Sequence, residues 1–179
     1  MATAGPLTPS TASGAGWTNP SNIEGSSSYA EVDVAHGNDD VESPLIGTNF
    51  GFTIPAGSTI NGIAISFTRK VSSITTFTAT TNSIQLLKAG SAAGTAKTPG
   101  NFWTASDVAE TAGSTSDLWG TTWTLAQINA SGFGFQMVAE GNNSAPVQSR
   151  TLYVYKYSIT VTYTTASGLS LCQTSTFGF

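Results

Sequence analysis

The chain has 179 residues with a formal charge of −4, and only 9% of them are charged, against about 25% in an average soluble domain. Six basic residues in the whole chain are too few to track a phosphate backbone, which argues against nucleic-acid binding. A single cysteine, Cys172, rules out an internal disulfide and a cysteine-based zinc site. What replaces charge is Ser, Thr, Gly and Ala, the composition of threonine-bearing strands joined by small-residue turns. The length suits one domain, with arms left over.

Residues Met1 to Gly16 show no periodicity and read as an N-terminal arm (1–16) that would be disordered alone. They lack the basic and apolar regions of a signal peptide, so ordinary signal-dependent export is not expected. No window has the length of a membrane span. The globular part, expected over 17–165, opens at Trp17, with Trp17 and Ile23 as anchors around a turn.

Tyr29 to Val34 alternates, placing Ala30, Val32 and Val34 on one face. His36 to Asp40 reads as a turn. Leu45 to Ile54 reads as a strand carrying Phe50 and Phe52 on one side, and a Pro-Gly loop follows it. Ile63, Ile65, Phe67 and then Arg69 share one face of the next strand. Ser72 to Thr81 either extends that strand or forms a loop. Ile84 to Lys88 is strand-like, Ala89 to Gly100 reads as a loop ended by Trp103, and Val108 to Ala112 is a further short strand.

Ser116 to Phe135 is the aromatic centre. Trp119 and Trp123 flank Gly120, and Thr124 with Gln127 has the capping-box spacing of a short helix start. Asn129 to Gly132 is expected to close that helix after about one turn. Phe133, Phe135 and Met137 then alternate into a strand, with a turn expected at Glu140 to Asn143. In the last and longest strand, Tyr153, Tyr155, Tyr157, Ile159, Val161 and Tyr163 fall at period two on one face, although a strand this long usually bends to serve two surroundings. Ala166 to Phe179 reads as a C-terminal tail (166–179) ending in Phe177 and Phe179, terminal aromatics that need a docking place.

Together these segments predict an all-β fold: a single jelly-roll-like antiparallel β-sandwich with one short helical turn and extended terminal arms. The expected core comprises Trp17, Phe50, Phe52, Trp119, Trp123, Phe133 and Phe135.

Little in the chain points to chemistry. His36, the only histidine, reads as a solvated turn residue, and no transition-metal set can be built around it. Asp39, Asp40 and Glu42 match no calcium-loop spacing. Asp107, Glu110, Asp117 and Glu140 are the acids nearest aromatics, where a glycosidase pair would have to be sought. Asp117, directly before Leu118-Trp119, most simply caps a turn. There is no nucleophile elbow and no phosphate loop, so neither an enzyme nor a cofactor is expected. Trp103, Trp119, Trp123 and the tyrosine row are the residues from which a carbohydrate platform would be made. Core packing is the ordinary role of the tryptophans, whereas the tyrosines suit either a sheet interface or a ligand face.

The runs Trp17-Thr18-Asn19-Pro20-Ser21-Asn22, Asn49 to Ile63, Asp117 to Thr124 with Ile128-Asn129, Phe133-Gly134 and Tyr157 to Thr164 resemble β-sandwich virion proteins of tailed bacteriophages. These include capsid decoration (cement) proteins and head, neck or tail structural proteins. The resemblance covers about residues 17 to 165 and consists of folding motifs, so it brings no catalytic residue. It implies a non-enzymatic subunit made in the bacterial host cytoplasm and carried on the virion. Its partners would be the major capsid protein and sister copies of itself, in a homo-oligomer or symmetric array. The contacts expected to serve them are the two arms, Tyr153, Tyr155, Tyr157, Phe177 and Phe179. A tail, neck or fibre-associated subunit and a carbohydrate-binding module are the alternatives.

Overall fold

In the computed structural model, residues 1–25, 27–35, 39–143 and 148–166 are described. They form two antiparallel sheets packed face to face. The strands are β1 (Ala2–Leu7), β2 (Thr11–Ser13), β3 (Ala30–Val34), β4 (Asp39–Val41), β5 (Leu45–Thr48), β6 (Thr59–Val71), β7 (Phe77–Lys88), β8 (Ser91–Lys97), β9 (Val108–Gly113), β10 (Gly134–Asn143) and β11 (Arg150–Thr164). A 3-10 turn spans Pro20–Ile23, and the helix α1 spans Leu125–Ile128. The expected all-β sandwich is the observed fold.

The first sheet is ordered β9-β6-β11, and the far edge of β11 is shared. There β3 pairs with the first half of β11 and β1 with the second. The second sheet runs β8-β7-β10, with β4 and β5 sharing the far edge of β10 and β2 lying outside β5. Inward side chains fill the space between the sheets, and the seven expected core aromatics are all buried there.

The N-terminal segment differs from its expected place outside the sandwich. Residues 2–7 form an edge strand of the first sheet, from Ala2 opposite Tyr163 to Leu7 opposite Ile159. Residues 11–13 cross to the second sheet and pair with β5. Ser10 pins the crossing through its hydroxyl on the Asn49 carbonyl, 2.8 Å away. Backbone pairing is indifferent to side-chain polarity, so a segment with no hydrophobic period still completes two sheet edges.

Three other local expectations shift for similar reasons. Ser91–Lys97 is a strand rather than a loop, because β7 holds one side and the Trp119 carbonyl accepts from Thr95 N–H at 2.7 Å on the other. Glu140 to Asn143 continues β10, flanked by β7 and β4. The strand from Leu45 stops at Thr48, where Asn49 turns left-handed (φ 59°).

The runs from Asn49 to Ile63 and from Asp117 to Gly134 lock into one junction. Asn129 bonds the Ile54 backbone twice, donating from Nδ2 to the carbonyl at 3.1 Å and accepting the N–H on Oδ1 at 3.0 Å. It therefore ends α1 in a right-handed conformation rather than a left-handed one. Trp119 Nε1 donates to the Ile63 carbonyl at 2.8 Å, and Asp117 Oδ1 caps the Trp119 N–H at 2.7 Å. Trp119 is fully buried because two neighbouring strands carry no side chain where it passes. A Cβ on Gly113 would lie 2.8 Å from its indole nitrogen, and one on Gly94 would lie 2.2 Å from its carbonyl oxygen. The capping box is formed as expected, with Gln127 N–H on Thr124 Oγ1 at 3.2 Å and Thr124 N–H on Gln127 Oε1 at 3.0 Å.

Candidate functional site

β11 changes faces midway. Leu152 and Val154 point inward, as do Tyr157, Ile159 and Val161, although Tyr157 is three positions after Val154 rather than two. The register with β6 shifts between Tyr155 and Ser158, and Lys156 adopts φ 56°. This bulge inserts one residue and inverts the alternation. The three tyrosines therefore do not share one surface. Tyr157 is a core residue, stacked between Phe67 (4.7 Å between centroids) and Phe135 (4.2 Å). Burial, first, and the charge of Glu110 push its phenol well above the ordinary value. Tyr157 thus has no surface to offer a partner. Phe177, Phe179 and His36 lie outside the described residues.

Tyr153 and Tyr155, before the bulge, lie on the outer face of the first sheet and join Tyr29, which precedes β3; Tyr155 is largely covered there, at 8% accessible, and Tyr153 is the more open of the two. The Tyr29 ring meets that of Tyr153 edge-on at 5.4 Å and that of Tyr155 at 4.6 Å. Lys70, opposite Tyr153 on β6, places its ammonium 4.1 Å from the Tyr29 centroid and 5.4 Å from that of Tyr153. Asp107, just before β9, closes the group. Tyr29 donates to both its oxygens at 3.0 Å, Tyr155 donates to Oδ2 at 3.1 Å, and the Lys70 ammonium lies 3.6 Å away. The Tyr29 hydroxyl in turn accepts from Lys70 at 2.9 Å.

The electrostatics of this cluster follow from its contacts. Desolvation pushes the Asp107 carboxyl up, but the tyrosine hydrogen bonds and then Lys70 outweigh it and hold the group below its ordinary value. The bond to Tyr29 leads in raising the Lys70 ammonium. Two aromatic rings against a cation and a third packed on one of them, cross-linked to one carboxylate, form a patch already fixed in shape before any partner arrives. The β11 tyrosines and Asp107 stood out in the sequence, but nothing there joined them to each other or to Tyr29 and Lys70. Tyr29, Lys70 and Asp107 are far apart along the chain and are joined by strand pairing.

The remaining acids are tied into the scaffold. Glu110 is buried against Arg69. Asp117 pairs with Lys97 at 2.6 Å besides capping Trp119. Glu140 accepts from Asn82 Nδ2 at 2.7 Å. Asp39 and Asp40 stand in β4 rather than in a turn. Burial, first, and the charges of Asp40 and Asp33 raise the nearby Glu42 carboxyl. Among the described residues no group of three or more metal-ligating side chains occurs. Trp103, Trp119 and Trp123 are buried, so the sandwich uses them as core and none forms a sugar platform.

No protein-family model matches the chain, and no curated protein does. Among solved structures it is similar to one described as "CBM4 structure and function", at 15% identity and a TM-score of 0.38, covering 73% of this chain and 82% of that one. It is also similar to the N-terminal cellulose-binding domain of a Cellulomonas fimi β-1,4-glucanase C. That match has 12% identity and a TM-score of 0.39, covering 75% of this chain and 78% of the other. A likeness of this size assigns no function.

Proposed function

We propose that the chain is a non-enzymatic structural protein of a phage virion, a capsid decoration protein that binds the outer shell and bridges neighbouring capsid subunits. The observation that carries this reading is the Tyr29-Lys70-Tyr153-Tyr155-Asp107 patch. Tyrosine is enriched at protein interfaces because it brings large apolar area with few rotatable bonds and a polar tip. The rings are held by one another and by Asp107, so little side-chain entropy remains to be lost on docking. Support also comes from the resemblance of several runs to virion proteins, two of those runs forming the junction around Trp119 and Asn129. A rigid sandwich repeated by symmetry on a shell gains avidity from many weak contacts and stabilises the shell by mass action. The partners on this reading are the major capsid protein and sister copies, and the protein resides on the virion. Among the described residues no helix is long and apolar enough to cross a membrane.

The test is binding of purified protein to empty capsids. Tyr29→Ala/Tyr153→Ala is expected to reduce occupancy about tenfold or more, the scale of a lost interface hot spot, while its thermal unfolding stays cooperative. Full occupancy by this variant would remove the patch from the reading. Density for the protein on the tail or neck alone, seen by electron microscopy of whole particles, would move it to the alternative structural roles.

A further inference from the structure

The outer face of the second sheet carries a feature independent of the tyrosine patch. Val41 on β4 lies opposite Glu140 on β10, Glu140 opposite Thr80 on β7, and Thr80 opposite Phe102, which is bridged to it in antiparallel fashion. Residues directly opposite across a sheet point to the same face, so these four form one transverse row. Its ends are exposed and apolar, with Val41 62% and Phe102 68% accessible. Its middle is polar, and the next pair along, Asn142 opposite Thr78, extends the polar floor. Three interstrand spacings separate the ends, about 14 Å. Between them, against Phe102, lies an open hollow of about 150 Å³ lined by Thr78, Ala79, Thr80, Phe102, Glu140 and Asn142.

The Phe102 ring is presented rather than stray. Its own carbonyl accepts from the buried Arg69 guanidinium at 3.3 Å. Its neighbour Trp103 turns the other way into the core and donates its backbone N–H to the Ala79 carbonyl at 2.8 Å. The Glu140 carboxylate is likewise aimed by its bond from Asn82.

We propose that this trough binds a neutral saccharide chain. A pyranose has an apolar face for the Phe102 ring and equatorial hydroxyls that both donate and accept. The floor answers with one carboxylate acceptor, one amide and two threonine hydroxyls, the few placed polar groups on an apolar wall that small-ligand sites use. Charge selects further. Glu140 lies in the hollow, and none of the six basic side chains lines it. An acidic sugar or a phosphate-bearing ligand would meet repulsion. An extended peptide is disfavoured because β10 lies between β7 and β4 here, and the outer edge of β7 is met at Ala79 and Thr80 by Trp103 and Phe102. The inference stands apart from the capsid reading, since a virion subunit and a free module would use the trough alike.

The test is calorimetric titration of the full chain with neutral gluco-, manno- and galacto-hexasaccharides, with a hexagalacturonate and a lysine-rich peptide alongside. At least one neutral hexasaccharide is expected to bind with Kd below about 1 mM. Phe102→Ala is expected to weaken it about tenfold, the scale of one aromatic contact. Tyr153→Ala, on the other sheet, is expected to leave it unchanged. Glu140→Gln, which keeps shape and removes charge, is expected to weaken the neutral sugar and provides a second reading should Phe102→Ala unfold. The proposal is overturned if no neutral hexasaccharide binds, if only the acidic sugar or the peptide binds, or if folded Phe102→Ala and Glu140→Gln both bind as wild type.

Discussion

Arg69 and Lys70 are neighbours on β6, and each finds the same kinds of partner on opposite faces of one sheet. Arg69 points into the sandwich, 5.6 Å from the Trp103 centroid, and pairs with Glu110. Lys70 points outward among tyrosines and pairs with Asp107. Both carboxylates come from one short stretch at β9. The difference is water: the inner side chains are 2% and 3% accessible and the outer ones 27% and 39%. Inside, both ions have lost their hydration and depend on each other, and the Arg69 fork must also reach the Phe102 and Asn101 carbonyls at 3.3 and 3.5 Å. Outside, water supplies what the partners do not. The same pairing is thus a structural requirement on one face and an adjustable surface feature on the other.

The comparison is broken most severely from the inside. Glu110→Ala leaves the Arg69 guanidinium buried without its counter-ion, and the expected loss is about 3–5 kcal/mol in urea unfolding. Replacing both residues, Arg69→Met with Glu110→Leu, is expected to cost less than Glu110→Ala alone, because the desolvation of both ions disappears together. A Glu110→Ala loss under about 1 kcal/mol would be that of a solvated pair and would erase the distinction between the faces.

The inward placement of Arg69 was legible, since it follows Ile63, Ile65 and Phe67 in phase. Its partner was not, because the pairing of β6 with β9 spans some forty residues and leaves no local trace. Features decided within one turn were readable: the Thr124 capping box, the Asp117 cap, and the aromatics that fill the core. Tyr157 was misplaced by a single residue in a left-handed conformation, Lys156, whose identity gives no warning of a bulge. The strands at residues 2–7 and 11–13 escaped a reading based on side chains because backbone pairing holds them. Phe102 left a signal that went unused. In an extended segment adjacent residues face opposite ways, so a Phe-Trp pair beside a sheet cannot bury both rings.

The outer pair sharpens the comparison through smaller effects. Lys70→Ala is expected to cost no more than about 1 kcal/mol, falling further in high salt, as exposed pairs do. A loss matching that of Glu110→Ala would mean that the tyrosine patch is as desolvated as the core. The smallest expected effect is in the pH dependence. The Asp107 carboxyl sits below its ordinary value of 3.8 in the folded chain, so its contribution is present above that pH and is lost as pH falls through the lowered folded value. In Asp107→Asn this part of the acid slope should vanish. The two tyrosine hydrogen bonds outweigh Lys70 in lowering the group, so Lys70→Ala should keep more of the slope than Tyr29→Phe/Tyr155→Phe does. Urea midpoints followed from about pH 5 to pH 2, where a depressed carboxylate is lost, separate the cases. If Lys70→Ala flattens the slope more than the double tyrosine variant, the cation holds the patch together and the hydroxyls only follow it.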